Sequence, residues 1–109
     1  MSESRQDRIL AVIRTLPHGS VWSYGTIAAK AGFPGCARLV ARILSTSGAP
    51  DLPWHRVLLS SGKIAFPEGS PMFLEQAARL RAEGVAVRAG RVKMPKRGLD
   101  LDTLLWAPD

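Results

Sequence analysis

Apolar positions recur along much of the chain at intervals of three and four residues, the spacing of helices that bury one face. Glycine, proline and serine interrupt this pattern at the places where helices start and stop. Ser4 or Asp7 is placed to cap the first helix and Ser23 the second, and Gly84 ends the last one. The pattern therefore predicts a mainly α-helical domain. Its predicted helices cover residues 6–16, 23–31, 36–45 and 73–83.

The second and third predicted helices are joined by a short turn, residues 32–35, that contains two glycines. Leucine, valine and isoleucine share the inner side of the third helix, and arginines lie elsewhere on it. Two helices joined by a glycine-containing turn are the outline of a helix-turn-helix, here at about 23–45. The same outline also describes any helical hairpin, so DNA docking is one of two interpretations.

Two short apolar stretches, residues 57–59 and 63–65, flank a Ser-Ser-Gly turn and predict a small β-hairpin or wing. A shorter extended stretch, residues 20–22, precedes the second helix. The sequence shows no internal repeat and no second domain. We therefore expect a single DNA-binding domain over 5–109, of the winged helix-turn-helix-like class.

The charge balance favours a polyanionic partner. Fifteen Lys and Arg against nine Asp and Glu give a formal net charge of +6, and the isoelectric point is near 10.5. A basic tail, residues 88–97, carries five cations that either contact phosphates or are solvated, and Trp106 is expected to pack the tail onto the body. These cations are Arg88, Arg91, Lys93, Lys96 and Arg97.

A single cysteine, Cys36, excludes an intramolecular disulfide and fits a reducing cytoplasm. The first residues lack the apolar core of a signal peptide, and no apolar run approaches the roughly 20 residues of a membrane span. We therefore expect a cytoplasmic monomer that does not contact a membrane.

The segment 53–57 reads Pro-Trp-His-Arg-Val and follows a loop rich in Ser, Gly and Pro. From the residues alone, Trp54 either packs in the core or stacks on a base. His18 and His55 lack the further ligands of a zinc site, so no metal is expected. The serines that follow lack an orienting carboxylate for a serine hydrolase. Cys36 lacks an adjacent histidine and is interpreted as a small packing or groove-facing residue.

Residues 5–84 resemble the DNA-binding domain of the O6-alkylguanine-DNA alkyltransferases, whose active-site signature is Pro-Cys-His-Arg-Val. Trp54 stands where the signature has its reactive cysteine, which is the mark of the alkyltransferase-like proteins. The resemblance implies a protein that binds alkylated DNA without repairing it and that needs no catalytic residue, cofactor or metal. The other matching features are, in chain order, Ser23-Tyr24, Arg38, Ser60-Ser61-Gly62 and Glu83-Gly84.

For DNA binding, the resemblance implies that the helix-turn-helix enters the minor groove. The small residues Gly35, Cys36 and Ala37 would let the recognition helix approach closely. Tyr24 matches the tyrosine that crowds the phosphate 3′ of the target nucleotide. Arg38 matches the arginine that fills the place of the rotated base. Without the resemblance, Tyr24 is a half-buried aromatic and Arg38 a phosphate contact or a solvated charge.

For the pocket, the resemblance implies that the base lies against Pro53, Trp54, the backbone of Val57 and the loop after Ile64. The main-chain carbonyls at Trp54 and Val57 would read the amino edge of the guanine. In residues 66–70 this chain has Phe-Pro-Glu-Gly-Ser where the enzymes have Tyr-Ser-Gly-Gly, so the contact to the alkylated oxygen is not assigned. The resemblance also implies structural roles, rather than catalytic ones, for three residues near the pocket: His55, Arg56 and Glu83.

Taken together, these features predict a non-catalytic sensor of O6-alkylguanine in double-stranded DNA that flags the lesion to nucleotide excision repair proteins. Two alternatives remain open at this point. One is a catalytic alkyltransferase that uses another acceptor, Cys36. The other is a winged-helix DNA binder without lesion preference, for which Tyr24 and Arg38 would be incidental.

Overall fold

A computed structural model describes residues 4–47 and 51–94 of the chain. It confirms the mainly α-helical class: four helices surround a two-stranded sheet, and a single turn of 3-10 helix precedes the second strand. The elements are α1 (Arg5–Arg14), β1 (Trp22–Ser23), α2 (Tyr24–Lys30), α3 (Ala37–Ser47), the 3-10 turn (Trp54–Arg56), β2 (Val57–Leu58) and α4 (Pro71–Ala82).

Serine side chains fix where three of the helices begin. The Ser4 hydroxyl, rather than Asp7, caps α1 by accepting from the Asp7 amide at 3.0 Å, and Ser23 caps α2 through the Thr26 amide at 3.0 Å. Ser70 caps α4 through the Phe73 amide at 3.3 Å, with proline in the first turn. This cap explains why α4 begins at Pro71, two residues before the predicted start, since proline needs no hydrogen-bond acceptor there.

Buried side chains form two clusters that meet at β2. The first cluster joins the inner faces of α1, α2 and α3, and the second joins α4 to the chain on either side of it. Because successive side chains of a strand point to opposite faces, Val57 enters the first cluster and Leu58 the second, and neither is exposed. The segment 53–57 is therefore held at the junction of the two clusters.

The predicted hairpin is wrong in its pairing. β2 pairs in parallel with β1, with Trp22 opposite Val57 and Ser23 opposite Leu58. The Ser-Ser-Gly turn does form, because the Gly62 amide donates to the Leu59 carbonyl at 2.8 Å. The Leu59 amide also donates to the Lys63 carbonyl at 3.0 Å, but the pairing of the two flanks does not continue beyond this bond, and Lys63 bridges to Arg91.

Gly62 is required for this contact between the turn and the later chain. Its φ is +90°, and a Cβ there would overlap the carbonyl of Val92. The Val92 amide donates to the Gly62 carbonyl at 2.9 Å, so the turn and residues 91–92 hold each other. The first part of the basic tail thus packs on the body, whereas Lys96, Arg97 and Trp106 lie outside the described residues.

None of the helices within residues 4–47 and 51–94 combines the length and the apolar character that crossing a bilayer requires.

Candidate functional site

The helix-turn-helix is formed as predicted, by α2 and α3 packed on each other and on α1. Tyr24 is the first residue of α2 and is half-buried, and Arg38 lies in the first turn of α3 with its side chain exposed. Gly35 adopts φ +84° in the turn, a conformation that favours glycine, and space is open around its Cα. The start of α3 therefore presents a small, accessible surface with one cation on it.

Cys36 marks the beginning of α3. Its carbonyl accepts from the amides of Leu39 and Val40 at 3.1 and 3.3 Å, and its own amide donates to Phe33. The side chain is half-buried and packs against the first cluster. These contacts favour the packing role that the sequence suggested for Cys36 over a role as a nucleophile.

Burial raises the pKa of the Tyr24 hydroxyl above its usual value. The phenol therefore stays protonated at neutral pH and remains a neutral ring with a hydrogen-bond donor.

Trp54 belongs to neither buried cluster of the described residues, which decides against a core tryptophan. It is half-buried and meets the Phe66 ring edge-on, at 6.0 Å between centroids and an interplanar angle of 88°. Phe66 lies in the loop after Ile64, so this contact joins two of the predicted walls of the pocket. The guanidinium of Arg79 lies over the indole, 5.5 Å from the ring centroid.

The Glu83 carboxylate ties the motif to the rest of the fold. It accepts from Arg56 Nε at 2.9 Å and Nη2 at 2.7 Å, from His55 Nε2 at 2.7 Å, and from the Gly19 amide at 2.9 Å. Arg56 Nη1 donates in addition to the Leu16 carbonyl at 2.8 Å. The expected contact between His55 and Glu83 is thus present. Since the carboxylate accepts, His55 carries a proton on Nε2.

Hydrogen bonds from Arg56 hold the pKa of Glu83 well below its usual range, and His55 and the Gly19 amide lower it further, against the opposing effect of burial. The ordinary pKa of a glutamate is 4.5, so the unfolded chain takes up a proton on Glu83 as the pH falls below about that value, while the folded chain does not. The stability that this carboxylate contributes is complete above that pH and is lost as the pH falls toward the folded-state pKa.

We expect the free energy of unfolding to fall more steeply between pH 4.5 and pH 3 in the unaltered chain than in Glu83→Gln. The difference in slope should approach about 1.4 kcal/mol per pH unit, the value for one proton. Urea denaturation at a series of pH values measures both slopes. Parallel profiles for the two proteins would show that Glu83 is not the group that titrates.

Gln76 was not singled out from the sequence, yet it holds the backbone of the motif. It is 1% exposed, and its Nε2 donates to the carbonyls of His55 at 2.9 Å and Val57 at 3.0 Å. The Val57 carbonyl, which resemblance assigns to base reading, is thus oriented by Gln76. The sequence did contain a signal for it: Gln76 falls in the apolar stripe of α4, at helical spacing from Phe73 and Leu80, which indicates a buried polar side chain.

One face of α4 thus contacts every residue of the motif from Trp54 to Val57. Gln76, Arg79 and Glu83 are spaced at i, i+3 and i+7, which places them on one side of the helix and its final turn. Arg79 lies on the Trp54 ring, Glu83 binds the side chains of His55 and Arg56, and Gln76 binds two carbonyls. The motif is therefore a rigid surface rather than a free loop.

A cavity of about 430 Å³ opens beside the motif. Within the described part of the chain, no group of three or more His, Cys, Asp or Glu side chains is arranged to hold a metal ion. The cavity is lined by Arg14, Asp51, Leu52, Pro53, His55, Arg56 and Arg79.

Comparison with known families gives a match over residues 4–85 to the model described as the 6-O-methylguanine DNA methyltransferase, DNA binding domain. The chain belongs to this family. The match covers the helix-turn-helix, the motif and Glu83, so the resemblance inferred from the sequence is confirmed. Trp54 stands at the position of the family's reactive cysteine.

Two relatives within the family match nearly the whole chain. The DNA base-flipping protein of Vibrio parahaemolyticus is 41% identical over 91 residues, which are 82% of this chain and 89% of that protein. Alkyltransferase-like protein 1 of Schizosaccharomyces pombe is 30% identical over 102 residues, which are 93% of each protein.

Solved structures agree with the sequence match. The crystal structure of the S. pombe protein in complex with damaged DNA containing O6-carboxymethylguanine superposes with a TM-score of 0.72, over 99% of this chain and all of that one. The methyltransferase of Mycobacterium tuberculosis in complex with DNA gives a TM-score of 0.65 at 33% identity, over 77% of this chain and 51% of the enzyme. The fold is therefore that of the family's DNA-binding domain.

Proposed function

We propose that this protein binds duplex DNA through the minor groove, rotates O6-alkylguanine into a pocket beside Trp54, and holds it there without alkyl transfer. The observation that carries the proposal is the combination at the motif: Trp54 occupies the cysteine position, while the contacts among His55, Arg56 and Glu83 are intact. An indole has no thiolate to attack an alkyl carbon, so the retained contacts serve structure. Relatives named base-flipping and alkyltransferase-like proteins support this function.

Base rotation needs groups that offset the loss of stacking and pairing, which amounts to a few kcal/mol. Arg38 is exposed at the start of α3, where it can enter the space the base leaves, and Gly35 and Ala37 keep the surface beside it small. Tyr24 lies at the start of the adjacent helix, α2. With a net charge of +6, the chain also gains affinity from phosphate contacts that carry no lesion preference.

The proposed absence of alkyl transfer to the protein is tested by incubating the protein in excess with a duplex that contains one O6-methylguanine. We expect an unchanged intact protein mass and full recovery of O6-methylguanine from the DNA after hydrolysis to nucleosides. A protein heavier by one methyl group would contradict the proposal. The same assay on Cys36→Ser would then show whether Cys36 is the acceptor.

Restoring the cysteine by Trp54→Cys is expected to leave alkyl transfer undetectable. The new thiol would lie beside His55, but residues 66–70 lack the enzymes' Tyr-Ser-Gly-Gly loop, and removal of the indole also removes the partner of Phe66 and Arg79. Transfer of labelled methyl groups from DNA to protein measures the outcome, with an authentic methyltransferase as the positive control. Stoichiometric labelling of the variant would show that the cysteine alone is missing.

We further propose that the bound complex flags the lesion to nucleotide excision repair proteins, as the family resemblance implies. Incision of an O6-alkylguanine duplex by purified excision repair proteins should rise when the protein is added, and incision of an unmodified duplex should not. Equal incision of the O6-alkylguanine duplex with and without the protein would contradict the proposed link to excision repair.

A further inference from the structure

The chain after α4 forms a small antiparallel ribbon with the segment that follows the Ser-Ser-Gly turn. Arg91 and Arg88 exchange two backbone hydrogen bonds of 2.9 Å, and Lys63 bridges to Arg91 from the other side. Residues that lie directly opposite each other in antiparallel segments project their side chains to the same face. Lys63, Arg91 and Arg88 therefore lie side by side across one face of the ribbon.

The two faces of the ribbon differ in burial. Its apolar side chains belong to the second cluster, whereas its cations are exposed. Since alternate residues of an extended segment point to opposite faces, Lys93 adds a fourth cation beside Arg91. The buried side chains are Ile64, Val87 and Val92, and the exposed cations, which we call the basic face, are Lys63, Arg88, Arg91 and Lys93.

Contacts within the ribbon and to α4 hold the basic face in place. Ala89 and Gly90 have φ of +51° and +72°, the two left-handed conformations of a tight hairpin turn. Gly90 lies on the Phe73 ring of α4, where a Cβ would come within 2.7 Å of a ring carbon. Its carbonyl accepts from the Ile64 amide at 2.9 Å. The basic face is therefore part of the packed body.

The cations of the basic face repel one another. Like charges placed directly opposite across antiparallel segments are destabilising. Within residues 4–47 and 51–94, no salt bridge involves a residue of this face. The arrangement therefore lowers the stability of the free protein, and an anionic ligand would relieve the repulsion.

Two observations favour the phosphates of duplex DNA over an acidic protein surface as that ligand. The exposed side chains of residues 63–64 and 87–93 are the four cations and Ala89, whereas the centre of a protein interface is apolar and depleted of charge. In addition, Phe66 follows Ile64 by two residues and contacts Trp54. The ribbon thus leads directly into one wall of the pocket where the DNA would be held.

We propose that the basic face is a second contact surface for duplex DNA, which binds phosphates of the backbone separately from the helix-turn-helix. Phosphate contacts carry no sequence information, so this surface acts on modified and unmodified DNA alike. The inference therefore goes beyond the proposed function, and it stands or falls independently of lesion preference.

The salt dependence of binding tests the proposal, because each phosphate contact adds about 0.9 to the slope of log affinity against log salt concentration. On an unmodified duplex, we expect Arg88→Gln/Arg91→Gln to reduce this slope by about two. Adding Lys63→Gln should reduce it by about one more, although Lys63 lies outside the basic tail. The ratio of the affinities for O6-methylguanine and guanine duplexes should stay the same in both variants.

Arg5→Gln/Arg14→Gln is the matched control, because it removes two exposed positive charges from α1. Its slope should stay close to that of the unaltered chain. An equal reduction in the control and in Arg88→Gln/Arg91→Gln would overturn the proposal, since net charge alone would then explain it. An unchanged slope in the variants of the basic face would also overturn it and would favour an acidic protein partner.

The stability of the free protein gives a second, independent readout. Arg91→Gln removes the central charge of the basic face, so the midpoint of urea denaturation at low salt should rise. A lower midpoint would show that Arg91 stabilises the folded chain through a partner of its own, which would contradict a face of opposed charges kept for DNA.

Discussion

Glu83→Ala is expected to lower the free energy of unfolding by about 3–5 kcal/mol, the cost of leaving a buried charge without its partner. Among the residues that the structure describes, the substitution leaves Arg56 with only the Leu16 carbonyl and removes the partner of His55 Nε2. Small domains have only about 5–15 kcal/mol in total, so much of the stability should be lost. Urea denaturation followed by circular dichroism at neutral pH measures the change.

Glu75→Ala is the matched control for this prediction. Glu75 lies on the same helix and also accepts from an arginine, at 2.6 Å, but both side chains of that pair are about half exposed. An exposed pair at i, i+4 contributes about 0.3–0.5 kcal/mol, so this variant should unfold close to the unaltered chain. Equal losses in the two variants would mean that Glu83 does not hold the motif.

Arg38→Ala is expected to weaken binding of an O6-methylguanine duplex by about ten- to hundredfold and binding of an unmodified duplex by about twofold. The reason is that the arginine acts only when the base has left the stack, where it fills the gap and contacts the orphaned base. Lost phosphate attraction alone would affect the two duplexes equally. Tyr24→Ala should show the same selective loss, because a smaller side chain no longer crowds the phosphate.

Two variants serve as controls for the selective loss. Arg42→Ala removes an exposed arginine one turn further along α3, and it should lower affinity for both duplexes slightly and equally. Tyr24→Phe keeps the ring and should retain most of the lesion preference. If Arg38→Ala and Arg42→Ala have the same effect on both duplexes, the protein is a winged-helix binder without lesion preference.

The helices could be predicted from the sequence because their signals are local. Ser4 and Ser23 are caps whose partners lie three residues away, and the buried positions of α1 and α3 repeat every three to four residues. Boundaries shifted by one or two residues where a cap such as Ser70 was not recognised.

The sheet could not be predicted in the same way. β1 and β2 are two residues long, which is too short for an alternating pattern to show. The serine-glycine turn favoured pairing of its own flanks, yet β2 pairs with β1, and Val57 and Leu58 are buried on opposite sides of it. A strand buried on both faces is typical of parallel pairing, which a turn between neighbouring segments does not indicate.

For the site, the motif and its contact to Glu83 could be predicted from the sequence through the family resemblance. The contacts that Gln76 and Arg79 make to the motif became visible only in the structure. Gln76 and Arg79 lie about twenty residues after the motif. The place of Gln76 in the apolar stripe of α4 indicates burial, but it does not indicate a partner. The contacts of both residues depend on how α4 packs against the 3-10 turn, which is a tertiary contact that the local sequence does not specify.

The central claim, that the protein recognises O6-alkylguanine rather than DNA in general, is tested most directly by fluorescence anisotropy. Two duplexes that differ only in guanine or O6-methylguanine at one position are titrated with the unaltered chain at matched salt. We expect affinity at least about tenfold higher for the O6-methylguanine duplex, a difference of about 1.4 kcal/mol. Equal affinities for the two duplexes would contradict it.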